Sequence, residues 1–235
     1  MPQGFDMKVI ARVHSDFTSK FGIPRQSGLV ASLESLVVFE PEYRDPAALR
    51  GLEGFSHLWL VWVFDQAVRE GRWSPTVRPP RLGGNARLGV FATRSPFRPN
   101  PIGLSAVALA GLEETQDRGT VLRVRGADLM DGTPVLDIKP YLPYADCLST
   151  AQGGFASAPA AETLAVEFPT ELLEKVPPDR REPLRSVLAL DPRPRYQDDP
   201  DRVYGFGFAG MEVRFSVEGE VLRVRQILSQ RKTGG

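Results

Sequence analysis

A chain of 235 residues suffices for one large domain, or for a domain with a smaller appendage. Its 42% hydrophobic and 25% charged residues exclude a wholly disordered chain, and no run approaches the roughly 18–20 apolar residues that span a bilayer. Formal net charge is zero, which excludes a protein held on nucleic acid by total charge alone.

The N-terminus, "MPQGFDMKVIARVHSDF", has no apolar stretch behind a basic one, so no secretory signal is expected. Within it "MKVIARVHS" alternates as a strand does. "FGIPRQSGLV" then sets Pro24, Arg25 and Gln26 in a stiff polar turn. "SLVVFE" and "HLWLVWVF" are short β-branched or aromatic runs that predict strands. Between them "DPAALRGL" predicts a helical turn, with Asp45 as cap and Pro46 at its first position. His57, at the head of an apolar run, reads as a strand-end residue.

From Arg69 to Arg98 the chain carries seven arginines against one acid, Glu70. Guanidinium rather than ammonium groups in such density suit bidentate binding of phosphate or carboxylate, or else form a solvated basic face. "LGVFATR" predicts a further strand, and "SPFRPNP" follows it with Pro96, Pro99 and Pro101 around Arg98 and Asn100. Each proline fixes φ near −65° and removes a donor, so this is a preorganised loop outside any ladder, presenting Arg94 and Arg98 as fixed forks.

"GLSAVALAGL" and "TVLRVRGADL" predict two more strands. "GLSAV" lacks the GxSxG nucleophile elbow. "ADLMDGTPVLDIKPYLPYAD" gathers Asp128, Asp131, Asp137, Lys139, Tyr141, Tyr144 and Asp146 around an Asp131-Gly132 turn, and resembles a polar pocket more than a surface. Two histidines, His14 and His57, and one cysteine, Cys147, give no metal-ligand spacing, so no metal is expected. A lone cysteine cannot form an internal disulfide, which fits a reducing compartment, and the cytoplasm is the expected location.

"AQGGFASAPAAET" reads as a linker. After it "PTELLEKV" and "DRREPLRSVLAL" predict helices, and "VYGFGFAG", "MEVRFSVEGE" and "VLRVRQIL" predict strands with a hairpin turn at Glu218-Gly219-Glu220. Gly205, Gly207 and Gly210 form a literal GxGxxG, but a strand rather than a helix follows them, and no dinucleotide site is expected. The chain is therefore mainly β: many short strands with little helix imply a closed barrel or sandwich, followed by a small α+β appendage.

Four segments, "GLEGFSHLWLVWVFDQ", "RPPRLGGNARLGVFATRSPFRPNPIGLS", "DLMDGTPVLDIKPYLPYAD" and "LDPRPRY", are together similar to the TrmO family of S-adenosylmethionine-dependent tRNA N6-adenine methyltransferases. The likeness covers essentially the whole chain. It implies a TsaA-like closed β-barrel over residues 1–165 that binds S-adenosylmethionine and carries out catalysis, and a C-terminal α+β domain over 166–235 that contacts tRNA. It also implies a homodimer, and methylation of N6 of threonylcarbamoyladenosine beside the anticodon of threonine tRNA; with no membrane-spanning run, no membrane partner is expected. Carried over by position, the cofactor-binding residues are Pro24, Arg25, Gln26, Asp65, Gln66, Arg94, Leu104, Asp128, Leu129, Met130 and Asp131. Asp65 stands where many relatives have His, and it accepts hydrogen bonds without being able to become a cation.

The acceptor nitrogen needs deprotonation or a strong hydrogen bond, for which Asp137 or Asp131 is the candidate, with Tyr141 orienting the substrate. Arg78, Arg81, Arg98, Asn100, Lys139, Arg193 and Arg195 are candidates for contact with RNA, through phosphate pairing beside stacked bases. The competing readings are a non-enzymatic RNA-binding barrel and a methyltransferase of similar fold acting on a small molecule.

Overall fold

In the computed structural model the described residues are 4, 6–67, 73–83, 85–157, 163–193, 199 and 201–229. Among them twelve strands occur: β1 (Ala11–His14), β2 (Glu34–Phe39), β3 (His57–Val63), β4 (Thr76–Val77), β5 (Leu88–Gly89), β6 (Ile102–Thr115), β7 (Gly119–Arg125), β8 (Pro134–Pro140), β9 (Ala165–Glu167), β10 (Tyr204–Phe208), β11 (Met211–Glu218) and β12 (Val221–Ser229). The helices are α1 (Pro143–Asp146), α2 (Thr170–Leu173) and α3 (Pro178–Ala189), beside several short 3-10 turns.

Alternation of side chains rolls six of these strands into a ring. Along β3, Leu58, Leu60 and Trp62 are buried while the residues between them are more open, and β6 alternates in the same way from Ile102 to Val107. Every pairing is antiparallel, in the order β1-β2-β7-β6-β3-β8, and β8 pairs back to β1 to close the barrel. Val13, Val37, Leu58, Leu60, Val107, Leu122, Val124 and Val135 fill it. The antiparallel register brings the segments after β1, β3 and β7 to the same end, and those three segments build the site.

The remaining strands form a four-stranded sheet in the order β10-β11-β12-β9, with α3 contributing Leu184, Val187 and Leu188 to its core. That core is completed from outside: Phe17, Val30 and Leu33, in the connection between β1 and β2, are buried among these residues. Ala209 donates its backbone N–H to the carbonyl of Asp16 at 2.8 Å, and the Phe17 ring meets Phe208 edge-on at 5.5 Å. A short sheet with one twelve-residue helix has little apolar surface to bury, so it borrows some from the barrel's own connection.

Several local expectations change. "LGVFATR" yields only the two-residue β5, because a 3-10 turn at Val90–Ala92 takes over, with Thr93 N–H bonded to Val90 O at 3.1 Å. "DPAALRGL" makes a 3-10 turn, Pro46–Leu49, capped by Asp45, whose carboxylate accepts from Ala47 N–H at 2.9 Å. "PTELLEKV" is helical only over α2. The GxGxxG closes a hairpin: Phe208 pairs with Met211 across Ala209 and Gly210, both at positive φ (49° and 73°).

Candidate functional site

A cleft of about 840 Å³ opens at the barrel end where β3 leaves and β6 enters. Three segments wall it. The connection after β1 contributes Pro24, Arg25 and Gln26. The stretch from β3 to β6 contributes Asp65, Gln66, Arg94, Arg98, Asn100 and Leu104. The segment after β7 contributes Asp128, Leu129 and Met130.

Each wall is held by local chemistry. Thr93 Oγ1 accepts from Ser95 N–H at 3.2 Å, and Ser95 Oγ accepts from Phe97 N–H at 3.2 Å, so hydroxyls replace the donors and acceptors that the prolines disrupt. Arg98 donates to the carbonyl of Thr93 at 3.2 Å, folding the loop back on itself. Arg94 donates to the side-chain oxygen of Gln26, which joins the proline loop to the first wall. Ser15 Oγ donates to Leu129 O at 2.8 Å and Asp131 N–H to Phe17 O at 2.8 Å, which joins the first wall to the third.

The floor carries a buried polar chain. Trp62 Nε1–H donates to Ser105 Oγ at 3.0 Å, and Ser105 Oγ–H donates to Asp128 Oδ1 at 2.6 Å. Ser105 is 1% exposed. Burial pushes the Asp128 carboxyl above its ordinary range, and the Ser105 hydrogen bond and the Arg94 charge only partly offset this. The Trp62 indole lies directly over its cross-strand partner Gly103, where an added Cβ would sit 2.2 Å from the ring.

Of the residues read from the sequence as cofactor-binding, ten line this cleft, and Asp131 does not. Its carboxylate turns to His14 Nδ1 at 3.3 Å and to Ser15 N–H at 3.2 Å. Asp137, Lys139 and Tyr141 are also absent from the cleft lining. Asp137 and Lys139 flank Ile138, which packs on the barrel core, so strand alternation puts both on the outer wall, where they pair with each other at 2.8 Å. Tyr141 lies against Trp59 and His57, with ring centroids 5.4 and 6.3 Å apart.

Among the candidates for RNA contact, Arg98 and Asn100 line the cleft and Arg78 is exposed on the β4 side. Arg193 is not an open cation: it is fixed to Asp191 by bonds of 2.8 and 3.0 Å and is 12% exposed at its side chain. Arg195 and the Arg81 side chain lie outside the described residues.

Lys20, Phe64, Phe97 and the Trp62–Ser105 pair were not singled out from the sequence, yet they line or underlie the cleft. For Ser105 a signal existed: it is a polar residue in phase with Gly103 and Val107, on the buried face of an alternating run. Among the described residues, no group of three or more His, Cys, Asp or Glu side chains is placed to hold a metal ion.

Comparison with known proteins gives concordant matches. The model of the tRNA-methyltransferase O N-terminal domain matches residues 12–147, and that of the TrmO C-terminal domain matches residues 161–230. A tRNA (adenine(37)-N6)-methyltransferase of Escherichia coli is 48% identical over 222 residues, covering 91% of this chain and 93% of the relative. A putative S-adenosylmethionine-dependent methyltransferase of Pseudomonas aeruginosa is 42% identical, covering 88% of this chain and 90% of the relative. A crystal structure of TrmO from Pseudomonas aeruginosa superposes with a TM-score of 0.79 at 33% identity, covering 97% of this chain and 100% of that one.

Proposed function

The chain belongs to the tRNA-methyltransferase O family, and on that premise we propose that its cleft holds S-adenosylmethionine and receives the adenine 3′ of the anticodon from threonine tRNA. It is an S-adenosylmethionine-dependent tRNA methyltransferase acting on N6 of adenine 37. The acceptor is threonylcarbamoyladenosine.

The observation that carries this reading is the composition of one cleft: a partly buried carboxylate, Asp128, shares it with Arg25 and Arg94, each on a separately braced loop. S-adenosylmethionine presents an apolar purine face, ribose hydroxyls, a sulfonium cation and a carboxylate. The cleft offers Phe64, Leu104 and Leu129 to the first, Asp65 and Gln66 to hydroxyls, and guanidinium groups to the carboxylate. Its volume lies in the upper part of the roughly 300–1,000 Å³ range of small-molecule sites, which leaves room for an extruded base beside the cofactor. The residues fit the group.

Bound there, S-adenosylmethionine supplies an electrophilic methyl group. The chain's own contribution is alignment, and alignment by braced loops lowers a displacement barrier by several kcal/mol. Arg98 and Asn100 on the rim, with exposed Arg78, form the face offered to the anticodon loop. The barrel, residues 1–165, serves the cofactor and the chemistry, and the C-terminal unit, residues 166–235, serves the tRNA. A second copy of the chain would cover the exposed apolar residues Trp73 and Phe91, which supports a homodimer. A tRNA substrate supports a cytoplasmic location.

The test is nucleoside mass analysis of tRNA after incubation with the protein and S-adenosylmethionine, on tRNA carrying or lacking threonylcarbamoyladenosine. A methyl mass gained on that nucleoside alone is the expected result. No gain in either sample, with cofactor binding demonstrated, overturns the assignment.

A further inference from the structure

We propose that Asp128 accepts the N6 proton during methyl transfer and that Ser105, itself fixed by the Trp62 indole, is the positioning residue that sets its carboxylate. The inference rests on the reading above and deepens it. The acceptor nitrogen is bonded to a purine and to a carbonyl, so its lone pair is delocalised and its N–H is acidic. As the new N–C bond forms and the methyl–sulfur bond breaks, the sulfur leaves as a neutral thioether. The N6 proton must then pass to an acceptor in the cleft and from there to water.

Two carboxylates line the cleft among the described residues, Asp65 and Asp128. Asp65 is exposed to water. Asp128 is partly withdrawn from water at the junction of all three walls, and this burial raises its carboxyl above the ordinary range, which makes its anion the better proton acceptor. Asp137, Asp131 and Tyr141 do not line the cleft, and the first two are paired elsewhere.

Ser105 and Trp62 explain how one orientation is kept. A serine hydroxyl that is 1% exposed, on the buried face of β6, has two partners, and both are used. The indole N–H is a donor only, so it fixes the hydroxyl as acceptor on that side and directs its proton to Asp128 Oδ1. This leaves the other carboxylate oxygen outside the Ser105 bond. Three further groups act on the same carboxylate: the Ser27 backbone N–H from the connection after β1, the Arg94 charge from the proline loop, and its own backbone. The remaining charged groups of the cleft are Lys20, Arg25, Asp65 and Arg98.

The experiment is a pH–rate profile of the full-length enzyme on threonylcarbamoyl-bearing tRNA at saturating cofactor, with S-adenosylmethionine affinity measured separately by calorimetry. Wild-type activity on that tRNA tests the underlying reading before any variant is made. Asp128→Asn is expected to lower kcat by about 10²–10⁴-fold while changing cofactor Kd less than about tenfold. Loss of cofactor affinity in parallel with turnover would make Asp128 an anchor for the cofactor and overturn the proposal.

In Ser105→Ala the carboxylate loses a bond that favours its ionised form, so the acid limb of the profile moves to higher pH and the rate recovers on the alkaline side. Trp62→Phe, which keeps an aromatic ring over Gly103, is expected to move the limb the same way by less. A rate lowered by the same factor at every pH in both variants would reduce the chain to a packing role and refute it.

Discussion

At the scale of single residues, the floor of the cleft is governed by two groups that contribute no charge. Gly103 exists because the Trp62 indole occupies the space of its side chain. Gly103→Ala is therefore expected to push the indole off Ser105, to destabilise the fold by about 1–3 kcal/mol and to lower turnover; chemical denaturation and kcat measured together check it. Asp128 illustrates the opposite trade. Burial raises its folded-state pKa above the ordinary value of 3.8, so its favourable contribution to folding is complete below that value and is lost as pH rises through the folded-state pKa. At neutral pH the ionised carboxylate is a stability cost. Asp128→Asn, still able to accept from Ser105, should melt at or above the wild-type temperature at pH 7 and lose that advantage as pH falls below about 3.8. A lower melting temperature at pH 7 would contradict this. The stiff loop residues Arg94 and Arg98 were legible in the sequence because proline spacing announces rigidity. Asp137 and Tyr141 lie outside the cleft lining, and strand phase gives the reason for the first: the apolar Ile138 between Asp137 and Lys139 sets both on the outer face.

At the scale of elements, the connection from Ser15 to Leu33 does most to join chemistry to fold. It carries Arg25 and Gln26 into the cleft, yet its apolar residues Phe17, Val30 and Leu33 are anchored in the other core. Its ionic anchor is Asp16, whose carboxylate meets Arg180 Nε of α3 at 2.8 Å, with side chains only 15% and 28% exposed. Desolvation outweighs that pairing and holds the Asp16 carboxyl above its usual value. Arg180→Ala would strand a partly buried carboxylate, so a loss of about 1.5–3 kcal/mol is expected at neutral pH. The loss should shrink in acid, where Asp16 is protonated with or without its partner. Urea titrations at two pH values check the sign; an equal loss at both would assign the effect to packing. Barrel strands β1, β2, β3, β6 and β7 were legible because alternation and short β-branched or aromatic runs are short-range signals. This connection was not: its stiff turn shows in the Pro24-Arg25-Gln26 run, whereas the destination of Phe17 depends on contacts with Phe208, far along the chain.

For the whole molecule, the sequence boundary near residue 165 separates strands but not cores. β9 opens the second sheet at Ala165, in parallel register with Val221 of β12. The apolar core ignores it, because Phe17 reaches across and packs with Phe208 while Leu184, Leu188 and Phe215 close around the same cluster. Three consequences follow from this shared core. The barrel and the α+β unit should unfold together, since the α+β core is incomplete without Phe17, Val30 and Leu33 of the barrel's own connection. Phe17→Ala should lower stability by about 3–5 kcal/mol, the usual cost of emptying a fully buried aromatic site. It should also weaken S-adenosylmethionine binding, although Phe17 does not line the cleft, because Asp131 N–H bonds to Phe17 O and Arg25 and Gln26 belong to the same connection. Calorimetry of the full chain should show one transition in the wild type and one, at lower temperature, in the variant, with cofactor Kd raised in the still-folded protein. Two resolved transitions, or an unchanged Kd, would mean that the cleft is organised by the barrel alone and that the second unit acts only on the tRNA.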